Sequence, residues 1–140
     1  MKRMNRMERI SQAGPGKLIG DTRLTESIIG AAFTVSNALG CGFLEKVYEN
    51  ALAIELRRGG FDVKQQVPME VRYRDEIVGL YQADLIVDDE VVLELKAARE
   101  IDSTHRAQCL NYLRASGLSL GLVINFGLPR LDVQRVQAFH

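Results

Sequence analysis

A chain of 140 residues with 46% hydrophobic composition has the size and apolar content of one domain built around one core. Eighteen Lys and Arg balance eighteen Asp and Glu, which excludes the global basic field of an indiscriminate nucleic-acid binder and leaves only local charge to argue from. That charge is uneven, with a net +4 over residues 1–17 and a net −4 over residues 18–140.

Residues 1–20 mix basic side chains with Gly14, Pro15 and Gly16 and show no periodicity, so they read as a flexible basic N-terminal arm before a single domain over residues 21–140. Gly14-Pro15-Gly16-Lys17 is not a phosphate loop, because Ser11 stands where its first Gly belongs and Leu18 where Ser or Thr belongs. No apolar run follows the basic start, which argues against a secretory signal. The most apolar helix candidate, 24–39, contains Glu26, Thr34, Ser36 and Asn37 and falls short of the roughly 20 apolar residues of a membrane span. The expectation is a cytoplasmic protein with no membrane partner. Cys41 and Cys109 fit no C-x-x-C or zinc spacing and read as reduced thiols.

Leu24, Ile28, Ala31 or Ala32 and Val35 recur at helical spacing, with Asp21 or Thr25 available as a cap and Gly40 as a stop. A second helix follows through Leu44, Val47, Tyr48, Ala51, Leu52 and Leu56, ending at Gly59 and Gly60 after two arginines suited to a helix C-terminus. From Asp62 the period becomes two, and the stretch to Ala98 reads as an antiparallel meander broken at Pro68, at Arg74-Asp75-Glu76 and at Asp88-Asp89-Glu90. A third helix, 103–116, is capped by Ser103 or Thr104 and stopped at Gly117, and strands from Leu120 and from Leu131 close the chain. The order ααββββαββ predicts an α/β domain of the α+β type, a mixed sheet with helices packed on it.

The segment from Ala83 to Lys96 carries the chemistry. Side chains alternate along a strand, so Glu94 and Lys96 share one face while Leu93 and Leu95 take the other. A three-residue turn at Asp88–Glu90 sets Val87 opposite Val91 and Asp84 opposite Glu94, within reach of one cation; a two-residue turn breaks this register. Two carboxylates and a backbone carbonyl, that of Leu95, form the hard oxygen set preferred by Mg²⁺ or Mn²⁺, and Lys96 would position water or offset charge. The other reading is a structural Asp84-Lys96-Glu94 network, since both strands are strongly apolar and an isolated charge there is costly. His105, Gln108 and Tyr112 fall at spacings of three and four on the third helix, a polar stripe able to bind substrate. Glu45 and Tyr48 lie three apart on one face at the opening of the second helix, the first a further carboxylate that could face the metal and the second a candidate substrate contact.

Gly42, Glu45 and Tyr48 spell G-x-x-E-x-x-Y. With Asp84, Glu94-Leu95-Lys96 and Gln108-x-x-x-Tyr112, residues 22–138 resemble the GxxExxY family of the PD-(D/E)XK nuclease superfamily. The resemblance implies a restriction-endonuclease-like core and a nuclease that hydrolyses phosphodiesters in nucleic acid, DNA above all. It places metal ligation on Asp84, Glu94 and Glu45, water activation on Lys96, and the substrate near Gln108 and Tyr112. Ala83 stands where the superfamily name has Pro. The alternative from another class is a non-catalytic nuclease fold that binds nucleic acid or a protein partner, and association with a second copy stays open.

Overall fold

The computed structural model describes residues 22–140; the expected N-terminal arm and the candidate cap Asp21 lie outside them. Helix α1 spans Thr22–Leu39 and α2 spans Glu45–Arg58. Strands β1 (Val63–Tyr73), β2 (Glu76–Val87) and β3 (Val91–Lys96) follow, then α3 (Ser103–Ser116), β4 (Leu120–Asn125) and β5 (Asp132–Gln137). The five strands form one sheet in sequence order. β1, β2 and β3 are successive antiparallel neighbours, as the meander pattern predicts. A crossover through α3 makes β3 and β4 parallel, and β5 returns antiparallel to β4.

The fold class agrees with expectation, but the described elements run ααβββαββ rather than ααββββαββ. The break expected at Pro68 is absent: Pro68 pairs with Gln82 inside a continuous β1. β1 is an edge strand, and an edge tolerates a residue without an N–H. The other two breaks are real turns. Arg74 and Asp75 both take positive φ in a two-residue hairpin loop, and Asp88–Glu90 forms the three-residue turn that pairs Val87 with Val91.

Each face of the sheet carries its own core. Leu24 and Ile28 of α1 and Tyr48, Leu52 and Leu56 of α2 pack on Leu85, Val91, Leu93, Leu95, Leu122 and Ile124. Cys109, Tyr112 and Leu113 of α3 pack on Ile86, Val92 and Val123 from the opposite side. Complete burial of each leucine contributes roughly 1.5–3 kcal/mol, so the alternation on β3 is strongly enforced. With Leu93 and Leu95 committed to the α1/α2 face, Glu94 and Lys96 point toward α3, as the strand period requires.

Helix caps differ in detail from the sequence reading. Thr25 lies within α1 and is buried. The cap of α3 is Asp102, not Ser103 or Thr104: its carboxylate accepts from the His105 N–H at 3.0 Å, while His105 Nδ1 accepts from the Asp102 N–H at 3.3 Å. Asp102 is the residue left in extended conformation (φ −105°, ψ 178°) just before the helix, and its charge suits the positive end of the helix dipole. Both cysteines are free, Cys41 exposed and Cys109 buried. Among the described residues no helix is long and apolar enough to cross a membrane.

Candidate active site

The site forms where β2 leaves β3. Their pairing runs Val87↔Val91, Ile86↔Val92, Leu85↔Leu93 and stops there, one step short of the expected Asp84–Glu94 pair. Beyond that point the Asp84 side chain stands in for a ladder carbonyl, its Oδ2 accepting from the Leu95 N–H at 2.7 Å. A gap opens in the sheet, and two cavities meet at it. One, of about 290 Å³, lies toward α3 and is lined by Asp84, Glu94, Lys96, Gln108 and Tyr112, among others. The other, of about 740 Å³, lies toward α2 and is lined by Glu45, Lys46, Glu49, Asp84 and Leu95, among others. Asp84 and Gln66 line both.

The electrostatics of the gap are those of crowded carboxylates. Burial raises the Asp84 pKa; the Leu95 N–H opposes the rise, Glu49 adds to it, and Lys96 and Gln66 act against it. Glu94 is pushed from an ordinary 4.5 to about 8, chiefly by burial and then by Asp84, against the pull of Lys96 and with further repulsion from Glu45 and Glu49. Lys96 therefore only partly compensates the two acids it faces. The Tyr112 hydroxyl is likewise raised, first by burial and then by Glu94.

The G-x-x-E-x-x-Y segment acquires a physical reading. Gly42 has φ 116°, a conformation costly for any residue with a Cβ. Tyr48 is fully buried and stacks on Phe126 at 4.7 Å between ring centroids; its hydroxyl donates to the Gly40 carbonyl at 2.6 Å and accepts from the Phe43 N–H at 3.2 Å. Gly turns the chain and Tyr fastens the turn, which leaves Glu45 exposed in the first turn of α2 at the cavity wall. Tyr48 thus supports the loop from the core and lines neither cavity, in contrast to the expected substrate contact.

The third-helix stripe divides. Gln108 and Tyr112 line the smaller cavity, and the Tyr112 hydroxyl donates to the Val67 carbonyl at 3.2 Å. His105 is spent on the helix cap and does not line either cavity.

Sequence reasoning missed Glu49 and Gln66. Glu49 is buried in α2, with Oε2 accepting from Gln65 Nε2 at 2.8 Å and Lys46 Nζ at 3.1 Å, and Oε1 accepting from Gln66 Nε2 at 2.6 Å. A signal existed: Glu49 lies between Glu45 and Leu52 on the apolar stripe of α2, where an acid needs a partner. Gln66 gave none. It sits at φ 53°, and its amide reaches from Glu49 to Asp84 Oδ1 at 3.4 Å.

Among the described residues no three His, Cys, Asp or Glu side chains lie close enough together to hold a metal ion. The donors that are present, two carboxylates at one gap and the Leu95 carbonyl, suit a small hard cation that keeps several waters, as Mg²⁺ does. The raised Glu94 pKa fits this chemistry, since two acids forced together call for a positive charge between them.

The fold is a mixed five-stranded sheet with helices on both faces, and an acid pair and a lysine line a cleft where two strands part. Residues 22–136 match the PD-(D/E)XK nuclease superfamily, and the chain belongs to it. The solved structure of SSO0001 is similar in fold, with a TM-score of 0.53 and 17% identity over 93% of this chain. The match spans 61% of that chain's length. No curated protein matches.

Proposed function

We propose that this protein is a metal-dependent phosphodiester hydrolase acting on nucleic acid, with DNA as its substrate and Mg²⁺ or Mn²⁺ as its cofactor, and that its G-x-x-E-x-x-Y motif places it with the GxxExxY proteins of the superfamily. The observation that carries the reading is the lining of one cleft by Asp84, Glu94 and Lys96 at the point where β2 parts from β3. Asp84, Glu94 and the Leu95 carbonyl would hold the cation, and Glu45 stands farther off on the wall of the larger cavity. Bound there, a divalent cation would supply Lewis acidity and would make a water more acidic. Lys96 orients the attacking water by donating to it and offsets charge developing on the phosphoryl oxygens. Gln108 hydrogen-bonds phosphate from the cleft wall, and Tyr112 holds that wall against β1 through its bond to Val67. His105 serves substrate only by fixing the start of α3.

The test is incubation of pure protein with labelled single- and double-stranded DNA and RNA, with Mn²⁺ or Mg²⁺ and with chelator. Cleavage that needs metal and is lost in Lys96→Met, with metal binding retained, is the expected result. Cleavage by Lys96→Met at the wild-type rate removes Lys96 from the mechanism. The net −4 of residues 18–140 gives little attraction for phosphates and so favours a second reading, a non-catalytic nuclease fold that binds a protein partner or nucleic acid; it predicts no metal-dependent product.

A further inference from the structure

β1 and β2 are 11 and 12 residues long, yet β3 pairs only with Leu85–Val87 of β2. The rest of the hairpin runs on past β3. Its register sets Met69 opposite Tyr81 and Val71 opposite Gly79, and strand alternation puts Tyr73 on the same face as Met69 and Val71. This is the α3 side of the sheet, because Val67 and Met69 pack against the core around Tyr112. Farther out no described residue covers the face: Tyr81 is 36% exposed and Tyr73 62%. Between the two rings along the hairpin lie Gly79 and, opposite it, the short side chain of Val71. Arg74 holds its guanidinium 5.5 Å from the centre of the Tyr73 ring. The strip is continuous with the candidate active site, since Leu80, Tyr81 and Gln82 line the same cleft as Asp84, Glu94 and Lys96.

We infer that this face of the hairpin is a stacking platform for the unpaired bases of a single-stranded nucleic acid, which leads the strand into the cleft. The inference rests on the proposed function and narrows its substrate to single strands. Exposed aromatic rings along one strip suit bases, every one of which presents a π-face. Charge on the hairpin is balanced. From Val63 to Ala83 the cations Lys64, Arg72 and Arg74 are matched by Glu70, Asp75 and Glu76, and Arg72 is paired with Glu70 at 2.8 Å. A neutral surface releases few counterions, so what the rings contribute to affinity is nearly independent of salt.

The test is fluorescence anisotropy in chelator, which blocks cleavage, with labelled thymidine and uridine homo-oligonucleotides and a DNA duplex across a salt series. Tyr73→Ala combined with Tyr81→Ala should weaken single-strand binding at least tenfold without changing the salt slope, while the two Tyr→Phe changes, which keep the rings, should bind as wild type does. The deoxy and ribo oligonucleotides show which sugar the site prefers. Wild-type affinity in the double alanine variant overturns the platform, and so does a duplex that binds as tightly as a single strand. A changed sedimentation coefficient with unchanged affinity assigns the face to contact between copies of the chain and also overturns it. If wild type binds no nucleic acid at any salt, the proposed function falls as well, which separates that failure from failure of the platform alone.

Discussion

Glu94 is the residue on which metal and structural readings part most sharply. Its carboxyl keeps its proton up to about pH 8 in the folded protein, whereas an ordinary glutamate releases it near 4.5. Between those values the native state binds the extra proton, so without metal its stability falls as pH rises through that window and levels off above it. Each unit of separation corresponds to roughly 1.4 kcal/mol, which makes the loss on the order of a few kcal/mol. Asp84 shifts in the same direction and adds to it. Glu94→Gln should remove most of the slope and, in chelator near pH 8, melt above wild type. Mn²⁺ should restore wild type by taking the place of the proton, with a gain of about 2.7 kcal/mol at a hundredfold excess over Kd, and leave the variant unchanged. Thermal midpoints at about pH 5 and pH 8, with and without Mn²⁺, decide it. If Glu94→Gln is the less stable protein at pH 8 and Mn²⁺ does nothing, the cluster is a buried ion network held by Lys96.

Helix α3 packs directly over Gly121 of β4. A Cβ on Gly121 would stand 2.4 Å from the Cys109 sulfur, so Gly121→Ala forces the thiol to turn within a filled core or the helix to move off the sheet. The expected cost is about 1–3 kcal/mol, the usual range for overpacking, with a matching retreat of Gln108 and Tyr112 from the cleft. Cys109→Ala removes the obstructing atom, so the double variant should regain most of the loss; denaturant midpoints of the two single variants and the double measure this directly. If Gly121→Ala costs nothing, the contact does not set the position of α3. Helices and turns were legible at this scale because apolar spacing and loop residues are local properties. Pro68 and the α3 cap were not. Whether a proline interrupts a strand depends on its place in the sheet, and Asp102, Ser103 and Thr104 offer chemically similar caps until backbone geometry chooses among them.

At the scale of the molecule, the core of the site could be read from the chain because Asp84, Glu94 and Lys96 interrupt apolar strands and a three-residue turn counts them into proximity. The surrounding parts could not be read. The bond from Gln66 to Glu49 joins residues 17 apart through a left-handed backbone that no residue pattern announces, and Tyr48 shares a motif with Glu45 while serving the core. The same irregularities bear on solution behaviour. Strand edges are templates on which foreign strands can grow, and β1 is an outer strand 11 residues long. Within it stand the positive φ of Gln66, the missing N–H of Pro68 and the slipped register at Val71/Arg72, spaced so that no long straight run of free donors and acceptors survives. They act as guards against fibril-like growth as well as shaping the cleft. Pro68→Thr gives the edge back a donor and a β-branched side chain, and light scattering during concentration should show this variant associating where wild type stays dispersed; equal scattering would mean that Gln66 and the slip at Val71 protect the edge unaided.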